Sequence, residues 1–316
     1  MKKITKLLLK KVSAFGDVGK VDVNKQRKWT EIIHIDPLIY LRKTLDLCIS
    51  LEDREIPIRL FVPEKVQKNK LLIFFHGGGW TTGNVKSYAS ACYNLAKETE
   101  YSVVSVEYRL APENKFPSAL EDCYEVCKKF FLENDILDVD EKNITLIGDS
   151  AGGNLVAATS LLARDRGEFT VSKQILIYPA THYDHGPNSP FLSVHTEGEL
   201  YFLTAKDVEA YISYYKRDES DLYNYYFSPL LCDHLENQPK TLIITAEHDP
   251  LRDEGEAYGE KLKSFHNEVE VHRILGTVHG FFNFRLLQKP NKESYTYIKQ
   301  FLNGGDTSEK RENEVV

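Results

Sequence analysis

"LIGDSAGGNL", residues 146–155, ends an apolar run in a serine set between glycines. Read plainly, Gly148, Gly152 and Gly153 make a turn between a strand and a helix, with Ser150 as the helix cap. Read as chemistry, Gly148-Asp149-Ser150-Ala151-Gly152 is a G-x-S-x-G nucleophile elbow, a turn tight enough that only small residues fit beside the serine. The pentapeptide does not decide between these readings, and the rest of the chain has to.

The chain has 316 residues, enough for one large α/β domain with a sizeable core. It carries 40 Lys and Arg against 47 Asp and Glu, interspersed outside the two ends, which argues against nucleic acid as a partner. Its five cysteines form no CxxC pair and read as reduced core thiols of a cytoplasmic protein. The start, MKKITKLLLKKV, has an apolar run of only Leu7 to Leu9, too short for a signal peptide. Ile4, Leu7, Leu8, Val12 and Phe15 recur at helical spacing, as expected of a short amphipathic helix packed on the protein body rather than on a membrane. No run reaches transmembrane length, so stable membrane insertion is not expected.

From about residue 45 onward, short apolar runs alternate with helical patterns. The strands are expected at 47–52, 56–62, 71–75, 101–108, 144–148, 174–179, 241–246 and 269–275, the first two as an antiparallel pair. Helices are expected near 87–100, 117–133, 151–165, 253–265 and 291–302. This alternation implies an α/β fold, with a mostly parallel eight-stranded sheet covered by helices on both faces. Active residues should then gather at the carboxyl ends of its strands. Two regions fall outside the alternation, 1–45 and 181–228, the second with helical pieces near 204–217, and both are assigned to a helical cap over that edge. The catalytic domain is correspondingly 46–180 with 229–303, and 304–316 reads as a frayed polar tail.

HGGGW, His76 to Trp80, follows directly on the strand 71–75. Gly77, Gly78 and Gly79 give a backbone able to turn its N–H groups toward a developing oxyanion. Phosphate binding fits less well: Gly78 and Gly83 have P-loop spacing, but Asn84 and Val85 stand where Lys and Ser or Thr are needed. A serine nucleophile needs a base, and the base needs an orienting carboxylate, in the chain order Ser, Asp or Glu, His. Of ten histidines, His34 and His76 precede the elbow, His272 sits inside a strand and His266 late in a helix. His279, in GTVHGFF, lies in a loop just past the last strand. For the acid, EHDPLRDEG offers Asp249 at a strand end, with Glu247 and Asp253 as competitors.

HGGGW, EYRLAPE (107–113), GDSAGG (148–153), HDPLRDEG (248–255) and HGF (279–281) together resemble the hormone-sensitive-lipase-like branch of the α/β-hydrolases. The resemblance spans about residues 45–302. It implies Ser150 as nucleophile, Asp249 as acid, His279 as base, and Gly78 and Gly79 joining the Ala151 N–H in an oxyanion hole, with Gly77 beside them. It implies a carboxylesterase that needs no cofactor and no metal, acting on a small-molecule ester of short-to-medium acyl chain through an acyl-enzyme, and it leaves room for a homodimer. An amidase or arylformamidase with the same triad is the nearest alternative. A non-catalytic small-molecule receptor is disfavoured, because His279 is present. Tyr183, Phe191, Tyr201, Phe202, Tyr211, Tyr214 and Tyr215 suggest an aromatic pocket under the cap.

Overall fold

The computed structural model describes residues 22–34, 42–65, 67, 69–133, 137–199, 202–284 and 288–304. The helix expected over residues 4–15, Tyr201 and the tail beyond 304 lie outside the described residues.

Eight strands form one sheet in the order β1-β2-β4-β3-β5-β6-β7-β8. They are β1 (Thr44–Ser50), β2 (Glu55–Phe61), β3 (Leu71–Phe75), β4 (Ser102–Val106), β5 (Ile144–Asp149), β6 (Lys173–Ile177), β7 (Lys240–His248) and β8 (Val269–Val278). β2 pairs antiparallel with β1 and with β4, and the remaining pairs are parallel. β3, β4 and β5 are buried along their whole lengths. Helices cover both faces, which explains why these strands read as unbroken apolar runs and not as alternating ones.

The described helices are α1 (Val23–His34), α2 (Ala89–Thr99), α3 (Ser118–Leu132), α4 (Ala151–Arg166), α5 (Leu192–Glu197), α6 (Ala205–Tyr215), α7 (Arg252–Ser264) and α8 (Gln288–Leu302). α2 and α8 pack on one face of the sheet with Phe74, Phe282 and Ile298, while α3, α4 and α7 pack on the other with Ile73, Leu155 and Tyr258. α4 is buried on every side from Ala151 to Ala163. That is possible because its residues are small or aliphatic all round. Gly167, at φ 65°, closes it by donating to the Ala163 carbonyl.

Three expectations need correction. Cys48 is exposed on β1, an edge strand, so only Cys92, Cys123, Cys127 and Cys232 are core thiols; all five are free. β7 and β8 run beyond their apolar stretches to His248 and Val278, because their pairing continues past a register shift at Ala246 to His248. The extension brings both chain ends to the same edge, so Asp249 and His279 each follow a strand directly. His266 stands past the end of α7, at φ 64°. Two helices in the regions outside the alternation, α1 and α5, have no counterpart in the sequence pattern.

The start of α4 abuts the end of β3. A Cβ on Gly152 would stand 2.0 Å from the Phe75 carbonyl oxygen, backbone against backbone. Gly152→Ala is therefore expected to lose roughly 3 kcal/mol or more. Gly255→Ala on α7, whose new Cβ would meet Pro179 at an ordinary 3.4 Å, is expected to be neutral or to gain up to about 1 kcal/mol from helix propensity. Urea-unfolding midpoints check the pair, and equal effects would refute the steric argument.

Candidate active site

Ser150 has φ 56° and ψ −120°, a conformation costly for any residue with a side chain. Surrounding bonds over-determine it. Its N–H donates to the Ile177 carbonyl at 2.8 Å, and its own carbonyl accepts from Asn154 N at 3.0 Å. Gly148 fits beside it because a Cβ there would lie 2.4 Å from the Gly152 carbonyl oxygen. The serine is thereby lifted out of the sheet, with its hydroxyl free to face a partner.

That partner is His279. Its Nε2 lies 2.8 Å from Ser150 Oγ, and its Nδ1 lies 2.7 Å from Asp249 Oδ2. Asp249 is fully buried, and its Oδ1 accepts from Leu251 N at 2.9 Å. An Nδ1–H donated to the carboxylate leaves Nε2 as the acceptor for the serine proton. The Tyr178 ring packs against the imidazole, centroids 4.6 Å apart. The structure thus brings together the three residues expected from the sequence. The competitors are occupied elsewhere: Glu247 accepts from Gly276 N, and Asp253 accepts from Ser193 N at 2.7 Å and pairs with Arg252.

The glycine loop divides in two. Gly78 and Gly79 line the cavity with Ser150 and Ala151, at φ 118° and 59°. Thr81 N and Thr82 N both donate to the Gly78 carbonyl. Gly77 does not fit its expected place in an oxyanion hole, because its N–H donates to Asp149 Oδ1 at 2.8 Å. Beneath the loop, the buried His76 accepts from Tyr108 through its carbonyl at 2.6 Å, and desolvation lowers its pKa to about 4. It is therefore neutral and serves as structure.

Asp149 is the residue that sequence reasoning passed over. Its Oδ1 accepts from Gly77, and its Oδ2 from the hydroxyls of Tyr88 at 3.0 Å and Tyr178 at 3.2 Å. One carboxylate, on the residue before Ser150, thus ties the glycine loop to the end of β5. The available signal was a charge at the end of an otherwise apolar strand, which has to find partners when buried.

These groups stand on the floor of a cavity of about 400 Å³. Of the expected aromatics, Phe202 and Tyr211 line it. Tyr211 lies over the loop so closely that a Cβ on Gly79 would fall 2.2 Å from its ring. Tyr215 instead stacks on Trp80 at 4.6 Å in the core, and Phe191 packs on His182.

Residues 72–283 match the sequence profile of a family described as having the alpha/beta hydrolase fold. An arylesterase of Saccharolobus solfataricus is 41% identical over 240 residues, 76% of this chain and 77% of that protein. An ethyl acetate hydrolase of Pseudomonas putida is 32% identical over 262 residues, 81% of each. The crystallised esterase of the archaeon Pyrobaculum calidifontis superposes with a TM-score of 0.87 at 34% identity, covering 96% of this chain and 98% of that one. The chain belongs to the hormone-sensitive-lipase-like carboxylesterase branch of the α/β-hydrolases. The eight-stranded sheet with its two antiparallel pairs is the fold of that family; four of the five sequence motifs line one cavity of it, and the fifth, 107–113, braces the glycine loop through Tyr108 on the His76 carbonyl.

The Asp149 tie can be tested by pH. Burial outweighs its three hydrogen bonds and raises its pKa from 3.8 to about 6. Between those values the folded state keeps a proton that the unfolded state has lost, so stability falls as pH rises through 4 to 6 and is level above. Relative to Asp149→Asn, which has no such linkage, the wild type is expected to lose about 3 kcal/mol across that window. Unfolding free energies at pH 4, 5, 6 and 7 check this, and a constant difference would refute it.

Proposed function

We propose that this protein is a serine carboxylic ester hydrolase, with Ser150 as nucleophile, His279 as general base and then acid, and Asp249 as the carboxylate that orients it. The observation that carries this reading is the unbroken relay of 2.8 and 2.7 Å from Ser150 Oγ through the imidazole to Asp249. His279 Nε2 takes the serine proton as Oγ attacks the ester carbonyl carbon. The oxyanion accepts from the N–H groups of Gly78, Gly79 and Ala151, aided by the positive end of α4. Collapse of the tetrahedral intermediate breaks the C–O bond, and His279 protonates the departing alcohol. Water, deprotonated by the same imidazole, then releases the acid. No step calls on a cofactor or metal.

Ester hydrolysis is favoured over amide hydrolysis because the relatives with this arrangement are an arylesterase and an ethyl acetate hydrolase. We read 1–45 and 181–228 as the cap. In support, α1 and α6 both contribute to the cavity, and Arg27 of α1 donates to the Thr81 and Ala111 carbonyls, at 2.8 and 2.9 Å, while pairing with Glu113. Glu31 adds a bond from Asn84 at 2.6 Å. No helix among the described residues is long and apolar enough to cross a membrane. The four buried free thiols support a reducing, cytoplasmic setting, and the acidic balance a substrate other than nucleic acid.

A panel of p-nitrophenyl esters from acetate to palmitate tests the reading. The highest kcat/KM is expected at butyrate or hexanoate, since 400 Å³ lies toward the small end of ligand sites. Ser150→Ala should lower kcat by a factor on the order of 10⁶. Asp249→Asn should lower it roughly 10⁴-fold, and Asp253→Asn far less. A folded Ser150→Ala that kept a tenth of the activity, or a reversed ranking of the two aspartates, would refute the assignments.

A further inference from the structure

One face of the cavity has no part in the chemistry above. α1 meets it through Gln26, Trp29, Thr30, Ile33 and His34. Gln26, Thr30 and His34, four apart, form a polar row beside the apolar pair Trp29 and Ile33. Gln26 is the buried residue of this helix, whereas Trp29 and Ile33 are 54% and 52% exposed. A helix that buries a glutamine and leaves a tryptophan half outside inverts the pattern that packing alone selects.

Among the described residues, Gln26 Oε1 and Asn283 Oδ1 have no hydrogen-bond partner, although the residues are only 8% and 7% exposed and both border the cavity. Buried carboxamide oxygens are normally paired, and leaving one unpaired destabilises the fold unless a ligand meets it. The His34 ring lies beside the Asn283 backbone and both residues line the cavity, so that α1 and residue 283 share one end of it. Asn283 closes the short turn that follows His279. Asn283 and His279, the residue that protonates the leaving alcohol, line the same cavity. Leu203, Val208, Tyr211 and Leu251 supply apolar lining to the same cavity. Among the described residues no Lys or Arg lines the cavity, which disfavours an anionic group there.

We propose that Gln26, His34 and Asn283 form a polar subsite for the alcohol portion of the ester, selecting uncharged alcohols that carry a second hydroxyl, while the acyl chain lies on the apolar side under α6. The proposal rests on the esterase reading and names its substrate class. A hydroxyl both donates and accepts, so it can satisfy an orphan carboxamide oxygen and bond a neighbouring donor at once. Rotation about the last side-chain torsion turns either oxygen toward the occupant. A site built around such a bond discriminates against the analogue lacking it, because its polar groups are then left unpaired.

The probes are 2-hydroxyethyl butyrate and propyl butyrate, which differ by a hydroxyl for a methyl. Their kcat/KM ratio with the wild-type protein is expected to exceed the ratio for hydroxide-catalysed hydrolysis of the same pair by about fivefold or more, the scale of one net hydrogen bond. Gln26→Met and Asn283→Leu should each bring it back toward the chemical ratio. The wild-type comparison decides the matter even if a variant fails to fold. Propyl 5-hydroxypentanoate should gain nothing over propyl hexanoate. A wild-type ratio equal to the chemical one, or a hydroxyl preference confined to the acyl side, would overturn the subsite alone. Failure to hydrolyse any of the four esters would overturn the esterase reading, and the subsite with it.

Discussion

The active site depends on the contact between the first turn of α4 and the end of β3, where Gly152 leaves no room for a side chain beside the Phe75 carbonyl. Because the helix starts so close to the strand, the chain between β5 and α4 has to reverse within one residue. That residue is Ser150, forced to φ 56° and raised above the sheet. The same closeness sets the glycine loop that leaves β3 beside the nucleophile. Three adjacent parallel strands, β5, β6 and β7, together with the neighbouring β8, then deliver Ser150, Asp249 and His279 to one edge. A single steric constraint fixes the position of Ser150 and of the glycine loop beside it.

Electrostatics follow from that crowding. A backbone packed this densely leaves the loop and the elbow to be joined by side chains, and Asp149 joins them by accepting from Gly77, Tyr88 and Tyr178. Burial makes this carboxyl reluctant to ionise, and the three donors hold it in place all the same. Asp249 is equally buried but has an imidazole and a backbone N–H as partners. Two aspartates within reach of one histidine thus play different parts: Asp249 bonds the ring, and Asp149 holds the loop opposite. α1 and α6 are fastened to this loop, through Arg27 at Thr81 and Tyr211 over Gly79.

Much of this was legible in the chain because the deciding features are local. Strand and helix alternation, the glycines around Ser150 and the loop position of His279 are short-range patterns with one physical meaning each. Asp249 was separable from Asp253 only by resemblance, since both are carboxylates near a strand end; in the structure Asp253 is drawn to Ser193 and Arg252. Gly77 was grouped with its neighbours because glycine offers no side chain to distinguish it, and its N–H was claimed by a residue 72 positions away. Gln26 carried no signal at all, as a glutamine in a polar helix reads as solvent-facing until the cavity behind it is seen.

Trapping Ser150 tests most directly whether His279 makes it nucleophilic. The protein is treated with one equivalent of a neutral p-nitrophenyl dialkyl phosphate, released nitrophenol is counted, and the adduct is mapped by peptide mass. The expected result is one equivalent of nitrophenol and a single dialkylphosphoryl group on Ser150, with His279→Ala unlabelled over the same time. Labelling of another residue, or equal labelling of Ser150 without His279, would contradict it.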